Sequence, residues 1–134
     1  MPSSASYRSC DYAPTLGASG RAVAVGNSVA AWSDDGVNWS AATSLPVLKD
    51  YVCVKWWAAQ SIFIACSPGG IADQIMVSAD GKSWTNHNAA SAQLWSGIAV
   101  SDTVAVCVAS ESTAGTQYVQ TSTNGSAWSL QTHP

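Results

Sequence analysis

Apolar residues along this chain come in short runs, not in long amphipathic stretches. Three runs alternate or continue over about five positions: AVAVG (22–26), IFIAC (62–66) and TVAVC (103–107). Each follows a strand-like stretch that carries aromatics: YRSCDY (7–12), YVCVKWW (51–57) and LWSGIAV (94–100). A third short stretch comes next, SVAAWS (28–33), QIMVS (74–78) and QYVQTS (117–122). A fourth closes the unit: NWSAAT (38–43), SWTNHN (83–88) and AWSLQT (127–132). Reversals rich in Gly, Asn, Asp or Ser separate them, and the Val, Ile, Tyr and Trp content favours strands. No window of a dozen residues keeps a 3.6-residue period, so the helix content is expected to be near zero.

Between the third and fourth stretch of every unit stands one heptapeptide: SDDGVNW (33–39), SADGKSW (78–84) and STNGSAW (122–128). Its tryptophans, Trp39, Trp84 and Trp128, lie 45 and 44 residues apart. A four-stranded unit of about 45 residues, repeated three times, fills nearly the whole chain. The repeats fall at about 6–45, 50–90 and 94–134, within one domain spanning 1–134. In each heptapeptide Gly36, Gly81 or Gly125 supplies the freedom for positive φ, which Asp and Asn also tolerate. Asp35, Asp80 or Asn124, with Ser33, Ser78 or Ser122, can accept amide hydrogen bonds across the turn. Trp39, Trp84 and Trp128 can cap the apolar interior of their unit. These twelve residues are therefore expected to stabilise turns. The Asn in the third copy keeps the acceptor and drops the charge, which suits a turn and not catalysis.

The pattern S-x-[D/N]-G-x-x-W resembles the Asp-box, or bacterial neuraminidase repeat, of sialidases and many non-enzymatic β-propellers. It is a shortened form: the family pattern usually sets one residue between Asp and Gly, and a Ser or Thr before the Trp. Here Asp and Gly are adjacent, and only Ser83 supplies that hydroxyl. The resemblance implies an all-β chain of three propeller blades, each a four-stranded antiparallel sheet. A twelve-stranded β-sandwich is the rival, which the threefold internal likeness disfavours. Propellers close with about four to eight blades, so three fall short. Six blades made by a homodimer are the expected ring, with blade 3 of one copy against blade 1 of the other. A nine-bladed trimer, a half-ring finished by another chain, and strand swapping at the seams are the alternatives.

Composition narrows the function. Charged residues make up 10% of the chain and the formal net charge is −3. The five basic residues, Arg8, Arg21, Lys49, Lys55 and Lys82, are scattered singly, so a nucleic-acid partner is not expected. No apolar run reaches the length of a membrane-spanning helix. The N-terminus MPSSASYRSC has no basic-then-apolar signal, leaving localisation open, with a virion or an extracellular setting in view. The four cysteines, Cys10, Cys53, Cys66 and Cys107, form no CxxC and read as small buried hydrophobes in strands; their oxidation state stays open. No cofactor or metal is expected: His87 and His133 read as isolated histidines. Asp34 and Asp35 fall short of a calcium shell.

A sialidase-like mechanism, as the resemblance implies it, needs an arginine triad and a tyrosine nucleophile backed by a glutamate. The chain has two arginines and one glutamate, Glu111. HExxH, GxGxxG and serine-elbow motifs are absent, so no enzyme activity is expected. What remains is recognition of a glycan or a protein surface, or a building role in a viral or phage particle. Trp32, Trp56, Trp57 and Trp95 lie outside the heptapeptides and are candidates for a ligand or an interface. Trp56 and Trp57 are adjacent and so point to opposite faces of a strand. Either one of them finds a second apolar surface or both are buried between blades. The connection between second and third strands varies in length, and SPGGIAD (67–73) and SESTAGT (110–116) are expected to line a recognition rim.

Overall fold

The computed structural model describes residues 5–46, 48–69, 72–110 and 118–131. Period-two patterning there yields twelve strands and no helix among the described residues. Strands β1 (Tyr7–Ala13), β2 (Arg21–Gly26), β3 (Val29–Ser33) and β4 (Ser40–Ala41) form sheet 1 in sequence order. Sheet 2 contains β5 (Cys53–Trp57), β6 (Ile62–Cys66), β7 (Ile75–Ser78) and β8 (Thr85–His87). Sheet 3 contains β9 (Trp95–Val100), β10 (Ala105–Ala109), β11 (Val119–Ser122) and β12 (Ser129–Gln131). Every neighbouring pair is antiparallel, so the chain is three four-stranded antiparallel sheets.

Most strands are a few residues shorter than or shifted from their expected bounds, and for β10 and β4 the reason is local. β10 begins at Ala105, because Ser101 and Val104 close a turn: the Ser101 hydroxyl accepts the Thr103 and Val104 amides at 3.3 and 3.1 Å. β4 shrinks to Ser40–Ala41 because its flanks are used elsewhere. Asn38 is held by Asp35, while the Thr43 amide donates to the Lys82 carbonyl at 2.8 Å and the Ser44 carbonyl accepts the Trp84 amide at 3.2 Å. The chain after β4 is therefore stitched to sheet 2.

The sheets stack face to face in chain order, and the core is the two layers between them. The first layer joins Val23, Val25 and Ala30 of sheet 1 to Val54, Trp56, Phe63, Met76 and Trp84 of sheet 2. The second joins Trp57, Ile64, Cys66 and Ile75 of sheet 2 to Trp95, Ile98, Ala105 and Cys107 of sheet 3. Sheet 2 is thus apolar on both faces, and Trp56 and Trp57 serve opposite layers. Full burial of an apolar side chain such as Phe63 or Ile64 contributes about 1.5–3 kcal/mol. The first strands also lie side by side, β1 on β5 and β5 on β9. Polar side chains of β1 bond the backbone of β5: Ser9 accepts the Val54 amide at 3.2 Å and Asp11 accepts the Trp56 amide at 2.7 Å.

Candidate functional site

The three heptapeptide turns share one scheme of serine and Asp or Asn bonds to backbone amides. The Ser33, Ser78 and Ser122 hydroxyls accept the amides of Gly36, Gly81 and Gly125 at 2.9, 2.8 and 2.9 Å. Asp35 Oδ1 accepts the Val37 and Asn38 amides at 2.8 and 2.7 Å. Asp80 Oδ1 takes those of Lys82 and Ser83 at 2.8 and 2.9 Å, and Asn124 Oδ1 those of Ser126 and Ala127 at 3.0 and 2.9 Å. Positive φ falls on the glycines alone, at 73°, 72° and 79°; the preceding Asp or Asn keeps an ordinary φ. The carbonyls of Gly36 and Gly125 accept the indole N–H of Trp39 and Trp128 at 3.2 and 3.0 Å. Trp84, buried against Phe63, has no such partner.

These bonds hold the aspartates ionised. The Asn38 side chain first, then the Asn38 and Val37 amides and Ser33, push Asp35 well below the usual carboxylate range. For Asp80, burial is the largest influence and opposes ionisation. The Ser83 and Lys82 amides, Ser78 and Arg21 together outweigh it and lower the pKa. Asp34 is lowered chiefly by Arg21, whose guanidinium grips it at 2.7 and 2.9 Å. Arg21 also donates from Nη1 to the Asp80 carbonyl at 2.7 Å, so a buried arginine of sheet 1 clamps the turn of sheet 2. Nothing in the sequence spacing pointed to this role: its partners lie 13 and 59 residues away.

The tryptophan candidates are placed as follows. Trp56, Trp57 and Trp95 are buried in the layers between sheets. Trp32 is half-buried, with Lys82 Nζ 4.0 Å and the Arg21 guanidinium carbon 4.8 Å from its ring centroid. No tryptophan of this set presents a free ring face for stacking on a sugar.

The end of the sheets opposite the heptapeptide turns carries a cavity of about 440 Å³. Tyr7, Val29, Ala30, Ala42, Leu45 and Leu48 line it, together with Ser28 and Ala41. Leu48 is 71% exposed at its edge. Burial pushes the Tyr7 phenol above its ordinary pKa, so the group stays neutral. Nearby, Arg8 forms a two-pronged ion pair with Asp50 at 3.1 and 2.8 Å, and Lys49 donates to the Ala72 carbonyl. The β2–β3 connection of sheet 1 and residues 67–69 and 72–73 of the expected rim lie on this side; residues 70, 71 and 111–117 fall outside the described residues. Sequence reasoning missed this cavity, because its walls come from β1, β3 and the chain after β4.

All four cysteines are unpaired and lie in strands. Cys66 and Cys107 are buried and Cys53 is half-buried, but Cys10 is exposed, which corrects the expectation of four buried hydrophobes. Among the described residues no sheet stacks on the face of β1 that holds Cys10, although Ala24 and Ala31 of the same face are buried. A hydrogen bond from Cys66 brings the Cys53 thiol down to about 6, while contact with Cys107 and Cys53 and burial push Cys66 up. His87 sits on β8 and His133 lies outside the described residues. No group of three or more His, Cys, Asp or Glu side chains among the described residues is arranged to hold a metal ion. No helix among them is long and apolar enough to cross a membrane. Comparison with protein-family models, with curated proteins and with solved structures gave no match.

Proposed function

We propose that the three stacked sheets are consecutive blades of a β-propeller, and that the chain is a non-catalytic module recognising a protein surface through the rim at Tyr7, Leu45 and Leu48. One observation carries the choice of a protein over a glycan. Trp56, Trp57 and Trp95 are buried between the sheets and Trp32 carries Lys82 and Arg21 over its ring, whereas the rim offers an apolar cavity edged by an exposed leucine. A volume of about 300–1,000 Å³ is usual for a binding pocket. Apolar walls favour an aliphatic or aromatic side chain of a partner over a hydroxyl-rich ring.

Selection from a random peptide library on the immobilised chain tests this. Apolar peptides whose binding falls at least tenfold in Leu48→Glu are expected. Retrieval of no rim-dependent peptide, together with binding on a glycan array that Leu48→Glu leaves unchanged, would overturn the reading.

A further inference from the structure

We propose that the two end faces of the stack are the halves of a third layer, formed when a second copy of this chain packs sheet 1 against sheet 3. The inference rests on reading the sheets as blades, and the two internal layers supply its template. Strand register makes Val23, Ile64 and Val106 equivalent, since they pair with Trp32, Val77 and Thr121. By the same register Arg21, Ile62 and Val104 correspond, as do Val25, Cys66 and Val108.

In both internal layers the heptapeptide turn of the following sheet lands on these positions. A Cβ placed on Gly81 would come within 2.6 Å of Val23, and one on Gly125 within 2.8 Å of Ile62 and 3.5 Å of Ile64 and Val77. Only glycine fits there. On sheet 3 none of the heptapeptide turns among the described residues lies against the equivalent surface. Val104, Val106 and Thr121 are half-buried, and Val108 is 43% exposed where Val25 and Cys66 are fully buried.

Sheet 1 shows the complementary lack. A Cβ on Gly36 would meet nothing within 4 Å, and Val37 is 78% exposed. Tyr12, the counterpart of buried Trp56, is 50% exposed. A hollow of about 270 Å³ opens between Tyr12, Ala22, Asp34 and Gly36. In sheet 2 the corresponding space beside Phe63 and Gly81 is taken by Val23 and Arg21 of sheet 1. Val106 and Val104 of a second copy are the side chains that fill it. Charge raises no obstacle: Asp34 is paired with Arg21, and Asp35 is satisfied within its turn. The receiving valines are apolar, so no unpaired charge is buried. Joining the last sheet of one copy to the first of the next is head-to-tail, and two copies close when each spans half a ring.

Native mass measurement at about 100 µM, far above the dissociation constant of a micromolar complex, tests the proposal. The expected mass is twice the 13.8 kDa of one chain. Gly36→Asn keeps the turn, because Asn tolerates positive φ, but adds a side chain at the joint. Val106→Glu places a charge on the opposite face. Each variant alone is expected to lose the dimer while keeping the circular dichroism of the parent. Their equimolar mixture regains one intact joint and returns to the doubled mass. A folded parent chain at 13.8 kDa, variants that remain dimeric, or a mixture that stays monomeric would overturn it. The recognition reading fails separately, through the Leu48→Glu experiment, since Leu48 belongs to the rim cavity and not to the Gly36 or Val106 surfaces.

Discussion

The turns at Gly81 and Gly36 share the serine and aspartate bonds to their backbone amides and nearly the same φ, yet one is buried and the other stands open. The difference lies entirely in what comes before each in the stack. Gly81 has sheet 1 ahead of it, with Val23 and Arg21 filling the space around it. Gly36 has nothing ahead. The comparison separates two jobs that one motif performs. The serine and acid hold the turn locally, and the glycine lets it press against the neighbouring sheet.

Alanine at each glycine breaks the comparison most directly. Left-handed φ alone costs a Cβ-bearing residue about 1–2 kcal/mol, and a clash in a packed layer adds about 1–3 kcal/mol. In the Val106→Glu background, where sheet 1 stays uncovered, Gly36→Ala is expected to lose only the first amount. Gly81→Ala and Gly125→Ala are expected to lose both. Urea denaturation of the three variants checks the ordering; equal losses would mean that the turns do not bear on their neighbours.

A smaller effect separates the aspartate turns from the asparagine turn. Asp35 and Asp80 titrate lower in the folded chain than in the unfolded one, where an aspartate sits near about 3.9. Their contribution is therefore complete above about pH 4 and declines as the pH falls through and below that value. The Asn124 turn carries no such dependence. Asp35→Asn with Asp80→Asn should lower the urea midpoint at pH 7 and flatten its fall between about pH 4 and pH 2.

The smallest expected effect is chemical, and contrasts the uncovered face of β1 with the filled layer between sheets 2 and 3. Iodoacetamide should modify Cys10 and Cys53 in the native chain and leave Cys66 and Cys107 until unfolding. With its thiol held down to about 6, Cys53 should reach its limiting alkylation rate near neutral pH. Peptide mass spectrometry resolves the four sites, and early modification of Cys107 would contradict the packing described.

Much of this was legible in the residues. The tryptophan spacing marked three units, and period-two patterning located most strands. The adjacency of Trp56 and Trp57 required two apolar faces on one strand, which sheet 2 has. What stayed hidden depends on contacts between units. Cys10 looked as buried as Cys66, because alternation shows which side chains share a face and not whether anything covers it. Arg21 looked like one of five singly scattered basic residues until the stack brought Asp34 and the Asp80 carbonyl to it. The rim cavity was invisible because its walls come from β1, β3, β4 and the chain after it, which only the folded first sheet brings together.

The close approach of Gly81 to Val23, repeated by Gly125 at Ile62, has a consequence for how such a chain can lengthen. The middle unit carries both a turn shaped for its predecessor and a face shaped for its successor. Tandem duplication of that stretch would keep both existing junctions and add one new one, in which the Gly81 turn meets Ile62 and Ile64 in place of Arg21 and Val23.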